Sequence, residues 1–210
     1  MLLSIVIPVF NEARSLDTLL EEIKAATSEV GRAIEVLFVD DGSTDESWGV
    51  IEHLAAADSR VRGIQLRRNF GKSEALHAGF QEARGEIVFT LDADLQDDPR
   101  EIPKFLAHLE RGFDVVSGWK RVRRDRWGKR FASRVFNALV NGLTHVRLHD
   151  HNCGFKCYRA AVLREIHVYG DMHRFIPVLA AGKGFRIGEV EVHHRPRRFG
   201  VSKFGWSRIP

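Results

Sequence analysis

The 210-residue chain contains no run of about 18 consecutive apolar residues, the length that a bilayer-crossing helix needs. Its longest apolar stretches, MLLSIVIPVF at the start and FIPVLAAG at 175–182, are too short and read as buried elements. The first also lacks a basic leader and a cleavage site, so it is predicted to be a strand rather than a signal peptide, and a cytoplasmic location is expected. Cysteine is scarce: Cys153 and Cys157 lie four apart, outside the Cys-X-X-Cys spacing of common zinc or redox sites, and are expected as free thiols. There is no G-x-G-x-x-G and no G-x-x-x-x-G-K-[ST], which excludes a dinucleotide fingerprint and a P-loop as the phosphate-holding device. Internal repeats and low-complexity linkers are absent too.

With 44% hydrophobic and 29% charged residues, the chain belongs with soluble globular proteins that bury a substantial core. The net charge of +4 is unevenly distributed. KRVRRDRWGKR at 120–130 carries seven bases and one acid, and RPRRFGVSKFGWSR at 195–208 carries five bases and no acid. The rest of the chain is therefore acidic, and the two basic segments suit phosphates, nucleic acid or an anionic membrane face.

Strand-like and helix-like patterns alternate over the first 120 residues. LLSIVIPVF, IEVLFVD, VRGIQLRRN, EIVFTLDAD and FDVVSGW read as strands. Between them lie amphipathic stretches, the first with Ser15 as N-cap and the second capped by Ser43 or Thr44. That alternation predicts an α/β fold on a mostly parallel sheet. After Trp119 come helix patterns at RFASRVFNALVNGL and around DMHRFIPVLAAG, then a strand-like FRIGEVEVHH and a basic tail expected to be mobile over 195–205. The chain is read as one domain, 1–210, with a nucleotide-type half (1–119) and an acceptor-type half (120–210).

Ligands of open parallel sheets bind beyond the carboxyl ends of the strands, and the polar clusters PVFNE, DDGSTD and DADLQDD fall there. Carboxylates repel phosphates, so a divalent cation between the two is the physical resolution. Asp92 and Asp94, two apart in near-extended chain, share a face, and such hard oxygen ligands suit Mg2+ or Mn2+. Gln96 could add a carbonyl oxygen from the same face. Asp97 and Asp98 read either as part of that cluster or as the start of the helix near Pro99. Asp40 and Asp41 could accept hydrogen bonds from a ribose or base, with Gly42 allowing close approach, although DDGS is also a common turn.

The motifs IVIPVFNEARSL, VLFVDDGSTDES, RRNFGKSEALHAGF and TLDADLQDDP, in this order and spacing, resemble a family 2 glycosyltransferase of the GT-A fold, an α/β three-layer sandwich. LHDHNCGFKCYR, GDMHRFIPVLA and RRFGVSKFGWSR are similar to the branch that transfers sugars to dolichyl or undecaprenyl phosphate. The resemblance implies that Pro8, Asn11, Glu12, Asp40, Asp41 and Asp92 line the nucleotide-sugar pocket. It implies that Asp92, Asp94 and Gln96 hold the metal, with Asp94 counted among the catalytic groups. It further implies that Lys120, Arg134, Arg198, Ser202 and Lys203 bind the acceptor phosphate and that Asp150 orients the acceptor or acts as a base. His173 and Arg174 could contact the donor diphosphate or sugar, although a histidine in a helix is more often structural.

A phosphate monoester, with its second pKa near 6, is mostly a dianion at neutral pH and needs positioning more than deprotonation. The expected reaction is inverting transfer from a UDP-glucose or GDP-mannose type donor to a polyprenyl phosphate. The alternatives are transfer to a soluble or polymer hydroxyl, with Asp150 as a true base, and a non-catalytic donor-binding relative. A nucleic-acid module would leave the acidic clusters without a role, so no nucleic-acid partner is expected. The other bases of 120–130 are expected to meet the cytoplasmic membrane face peripherally. Relatives resembling this chain often continue into membrane helices, so the chain is either a peripheral enzyme or a catalytic piece of a longer one.

Overall fold

The computed structural model describes residues 1–121, 137, 140–142, 144, 146–166 and 172–199. Seven strands form one sheet: β1 (Leu2–Val9), β2 (Ala33–Asp40), β3 (Val61–Gln65), β4 (Ile87–Thr90), β5 (Val115–Trp119), β6 (Lys156–Arg159) and β7 (Ile187–Glu191). Their order is β3-β2-β1-β4-β6-β5-β7. The pairs β1–β2, β2–β3, β1–β4 and β5–β7 are parallel, while β6 runs antiparallel between β4 and β5. This is the mostly parallel α/β sheet of the GT-A arrangement.

Alternation along the strands creates two apolar faces. Leu3, Ile5, Ile7 and Val9 of β1 join Phe38 and Phe89 on the face that packs α1 (Ala13–Ser28), α2 (Ser47–Ala57) and α4 (Ile102–Glu110). Phe105 of α4 anchors that side, its ring 4.4 Å from Phe155 and 5.9 Å from Phe89. Val6, Leu37, Val39 and Val88 point the other way, onto α3 (Lys72–Glu82). Val115 and Tyr158 continue that face beneath α5 (Ala160–Glu165) and α6 (Ile176–Gly182). The result is a helix–sheet–helix sandwich.

Two helix starts differ from the sequence reading. Helix α1 is preceded by Glu12 at its N-cap, and Ser15 sits inside the first turn with its Oγ donating to Glu12 O at 2.7 Å. Helix α2 begins at Ser47, because Ser43 Oγ is already accepting from Asn11 N at 2.9 Å. Strand β6 has no counterpart in the sequence reading: four residues, KCYR, carry too short a pattern to signal a strand, and pairing with β4 and β5 supplies what propensity does not. The predicted helix at 130–143 lies mostly outside the described residues.

The strand order has a functional corollary. From β1 the chain builds outward through β2 and β3, then returns to place β4 on the other side of β1. The order therefore switches direction between β1 and β4, and a crevice opens beyond their carboxyl ends, where open α/β sheets bind ligands.

Candidate active site

The crevice is floored by the turn that follows β4. Asp94 Oδ1 accepts from Gln96 N at 3.1 Å, and the chain reverses at Leu95, a fully buried leucine at φ 61°. A left-handed conformation disfavours a side chain of that size by about 1–2 kcal/mol, so burial and the hydrogen bonds around it must hold it there. Asp97 Oδ2 accepts from Asp92 N at 3.3 Å, closing the turn from within. Asp98 accepts from Arg100 N at 3.1 Å and caps the 3-10 turn Pro99–Glu101, as one reading of the sequence expected. The turn is tied to the neighbouring loop by Thr90 Oγ1, which donates to Gly154 O at 2.7 Å. Gly154 itself lies flat against Asp92: a Cβ there would stand 2.7 Å from Asp92 Oδ2.

Each acid of this turn meets a cation from a different part of the chain. Lys72, the first residue of α3, pairs with Asp92 Oδ1. Arg197 pairs with Asp94 Oδ2 at 2.5 Å and with Glu12 Oε1 at 3.0 Å. Lys120, at the end of β5, pairs with Asp97 Oδ1 at 2.7 Å, and Arg195 pairs with Asp98 and with Glu22 Oε2 at 2.6 Å. Burial would raise the Asp92 pKa, but the Lys72 and Lys120 ammoniums outweigh it and hold the group below the usual carboxylate range. Asp94 goes the other way: burial, then the charges of Asp92 and Asp97, raise it to about 6 against the pull of Arg197. Burial would lower Lys120, yet Asp97 and Asp92 hold its pKa above the ordinary lysine value.

On the β1–β2 side the polar groups organise loops. Asn11, at φ 53°, accepts from Thr44 N at 2.7 Å and from Asp45 N at 3.3 Å through its Oδ1. Asp40 accepts from Ser43 N at 3.2 Å, and Asp41 accepts from Phe70 N at 2.7 Å and Gly71 N at 2.9 Å. Gly42, at φ 67°, is small for a reason other than ligand approach: the Arg68 backbone occupies the space a Cβ would need. Together these loops border a cavity of about 580 Å3 lined by Phe10, Gly42, Thr44, Gln65, Arg67 and Arg68 among others. Pro8 sits partly buried near the end of β1, in register with Val39.

On the far side, Asp150 is buried, its N donating to Glu189 Oε1 at 3.0 Å and its Oδ1 accepting from Asn152 N at 3.1 Å. Glu189 of β7 also accepts from His149 N at 2.9 Å, so one carboxylate shapes this turn. The buried Lys156 Nζ donates to His151 O at 3.3 Å and to Cys153 O. Burial lowers its pKa against the opposing pull of neighbouring acidic groups. His173 pairs through Nδ1 with Ser73 Oγ at 2.7 Å. Burial and the Lys72, Lys156 and Arg174 cations lower its pKa to about 2, so it serves as a neutral ring that pins the start of α3. Burial pushes the Cys153 thiol up to about 12, and both cysteines are free.

The structure thus brings Glu12, Asp92, Asp94 and Gln96 to one crevice, with Asn11, Asp40 and Asp41 forming the adjoining wall. Gln96 turns its Nε2 toward Arg195 O at 3.3 Å, and Lys120 is engaged by Asp97 rather than presented to solvent. Arg198 is exposed; Arg134, Ser202 and Lys203 lie outside the described residues. Of the tail expected to be mobile, the described part, 195–199, is tied to the body by the Arg195 and Arg197 ion pairs. The sequence reading gave no role to Lys72, Gly154, Lys156, Glu189, Arg195 or Arg197. Lys72, Gly154, Lys156 and Arg197 stood inside quoted motifs, but Lys72 and Gly154 meet Asp92 20 and 62 residues away and Arg197 meets Asp94 103 residues away, and no local pattern signals such pairings.

The donor set suits a divalent cation. Asp92 and Asp94 are hard oxygen donors already matched by positive charge, and among the described residues no group of three or more His, Cys, Asp or Glu side chains forms an all-protein metal cage. Magnesium and manganese commonly take one or two protein carboxylates and complete their shell with water and substrate phosphates.

Two outcomes follow. Gly154→Ala is expected to displace the Asp92 carboxylate and lower kcat/KM at least about tenfold, since a misplacement near 1 Å can cost more than that, while circular dichroism stays native. Asp94 binds its proton more tightly in the folded protein than unfolded, so its contribution to stability is full below about pH 4 and is lost as pH rises through about 6. Metal-free wild type should therefore lose about 1 kcal/mol between pH 5 and 7.5 relative to Asp94→Asn, measured by denaturant melts in chelator.

Comparison with known proteins agrees with this geometry. Residues 4–167 match Glycosyl transferase family 2. The chain is 40% identical over 211 residues to dodecaprenyl-phosphate galacturonate synthase of Rhizobium johnstonii, covering 98% of this chain and 62% of that protein. It is 42% identical over 207 residues to undecaprenyl-phosphate 4-deoxy-4-formamido-L-arabinose transferase of Shewanella sediminis, with the same 98% and 62% coverage. The chain therefore spans somewhat under two thirds of these relatives' length. In fold it is similar to glucosyl-3-phosphoglycerate synthase of Mycobacterium tuberculosis, solved with Mn2+ and UDP-glucose, at a TM-score of 0.71 and 22% identity over 93% of this chain and 71% of that one. A mannosyltransferase of Pyrobaculum calidifontis, solved with GDP-Man and Mn2+, superposes at 0.64 and 19% identity over 90% and 54% of the two chains. A crevice at the β1–β4 switch point, an Asp-X-Asp turn beneath it and a family match across most of the sheet lead to one conclusion: the chain belongs to glycosyl transferase family 2.

Proposed function

We propose that this chain is the catalytic domain of a divalent-metal-dependent, inverting glycosyltransferase that moves a sugar from a nucleotide donor of the UDP-glucose or GDP-mannose type to a polyprenyl phosphate. The observation that carries the reading is the Asp92–Asp94 turn, buried at the switch point and matched on every carboxylate by a cation. The relatives named for dodecaprenyl- and undecaprenyl-phosphate products support the acceptor class.

In this reading Asp92 and Asp94 hold Mg2+ or Mn2+, which when bound offsets negative charge developing on the departing diphosphate. The cavity bounded by Phe10, Gly42 and Arg68 receives the nucleoside, and Asn11 and Asp41 hold its walls in place. Lys72 stands where it can turn from Asp92 toward a donor phosphate. The acceptor phosphate, being largely dianionic, attacks without a general base. Asp150, fixed by Glu189, orients the acceptor from the opposite wall, and Lys156 moderates the repulsion between Asp150 and Asp92. Arg134, Arg198, Ser202 and Lys203 are assigned to the acceptor phosphate, and Arg121, Arg123, Arg124, Arg126 and Lys129 to an anionic membrane face. Among the described residues, no helix is long and apolar enough to cross a membrane.

The deciding assay incubates the protein with Mn2+, radiolabelled UDP- and GDP-sugars and vesicles containing undecaprenyl phosphate. Label should pass into the organic-extractable fraction, and Asp94→Ala should lower that rate at least about a hundredfold, as loss of a metal-held charge in the transition state implies. Label that appears only on water-soluble products would reject the lipid acceptor.

A further inference from the structure

The segment 194–199 crosses the donor side of the crevice as a strap. His194 bridges Asp97 in antiparallel fashion, and Arg195 N donates to Gln96 O at 2.9 Å. Arg195 is fixed between Asp98 and Glu22, and Phe199 packs against the main core with Arg14 above its ring at 5.1 Å. Anchored on both sides, the strap carries one side chain into the crevice: Arg197, which forks between Glu12 and Asp94.

Both oxygens of Asp94 are thereby taken. Oδ1 accepts from Gln96 N, a bond internal to the Leu95 turn, and Oδ2 accepts from Arg197. A dication coordinating Asp94 through a second lone pair would stand beside one of these two donors. The Gln96 amide is set by the turn backbone, whereas the Arg197 guanidinium is at the end of a flexible stem. A guanidinium and a dication also repel each other at this range. Expelled without a new partner, Arg197 would be left beside the metal with only Glu12 to balance it. A diphosphate changes that, because its oxygens accept the same forked donors that the carboxylates accept.

We propose that Arg197 is a resident competitor of the metal: it clasps Asp94 and Glu12 until a nucleoside diphosphate draws it off, so that metal and donor bind synergistically and metal alone binds weakly. The proposal rests on the assignment of Asp92 and Asp94 to the metal and of the crevice to a nucleotide donor. It adds a binding order to that assignment, and gives this role to a residue that opens the RRFGVSKFGWSR motif but stands outside the acceptor-phosphate set. The same exchange leaves Arg197 on the donor diphosphate in the loaded enzyme.

Isothermal titration of the full chain with Mn2+ alone, with UDP or GDP alone, and with each nucleotide in saturating Mn2+ tests it. For wild type, Mn2+ should tighten nucleotide binding at least about tenfold, within the usual range of coupling between two ligands, and nucleotide should tighten Mn2+ equally. Arg197→Met should bind Mn2+ alone at least about tenfold more tightly than wild type, with a smaller coupling factor. Arg197→Lys, which keeps the charge but cannot fork between Glu12 and Asp94, should lie between them and guards against a misfolded methionine variant. Thermal melts give a second readout: Mn2+ alone should raise the melting temperature of Arg197→Met more than that of wild type. Equal Mn2+ affinity in wild type and both variants overturns the competitor role while leaving the metal site standing. No Mn2+ binding in any protein, with or without nucleotide, overturns the metal-site assignment itself and the inference with it.

Discussion

Concentrated negative charge at the carboxyl edge of a parallel sheet is the constraint around which this molecule is arranged. Asp92, Asp94, Asp97 and Asp98 follow one strand within seven residues, the last three buried and Asp92 half-buried, and such charges are tolerated inside a protein only when matched. The matching cations come from the start of α3, the end of β5 and the strap after β7, so the turn draws sequence-distant elements to one place. Buried ion pairs add little net stability, because desolvation offsets much of the attraction, whereas removing one partner costs about 3–5 kcal/mol. Their value here lies in what they hold ready: carboxylates kept in position beside a crevice that a phosphate-bearing ligand can enter only with compensating positive charge.

The perturbed groups are distributed in keeping with that role. Asp92 is held ionised by two lysines while Asp94, two residues on, is pushed up to about 6. Neighbouring carboxylates pushed in opposite directions by their surroundings are a common feature of functional clefts. The left-handed Leu95 and the bare Cα of Gly154 are the steric counterpart: the first reverses the chain just after Asp94, and the second leaves room for the Asp92 carboxylate.

Much of this was legible beforehand, and the pattern of what was not is physical. The strands with four or more apolar residues, the carboxyl-edge placement of PVFNE, DDGSTD and DADLQDD, and the Asp-X-Asp pair all follow from local pattern and open-sheet topology. Strand β6 was silent because its identity comes from the two neighbours it bonds to. Ser15 and Ser43 resemble N-caps locally, but Glu12 takes that position in one case and Asn11 takes the hydroxyl in the other. Gly42 was read as room for a ligand and proved to be room for the Arg68 backbone. Above all, the basic tail was read by composition as a phosphate-seeking segment, and composition cannot tell that Arg195 and Arg197 meet carboxylates 173 and 103 residues away.

The central claim is that the Asp92–Asp94 turn is built to hold a divalent cation against a nucleotide diphosphate. A crystal structure with Mn2+ and UDP or GDP, phased to show the metal's anomalous scattering, tests it most directly. The account expects one strong peak within about 2.3 Å of carboxylate oxygens of the Asp-X-Asp pair and in contact with the diphosphate. A nucleotide seated in the crevice with no metal peak there, and with Arg197 still joined to Asp94, would contradict it.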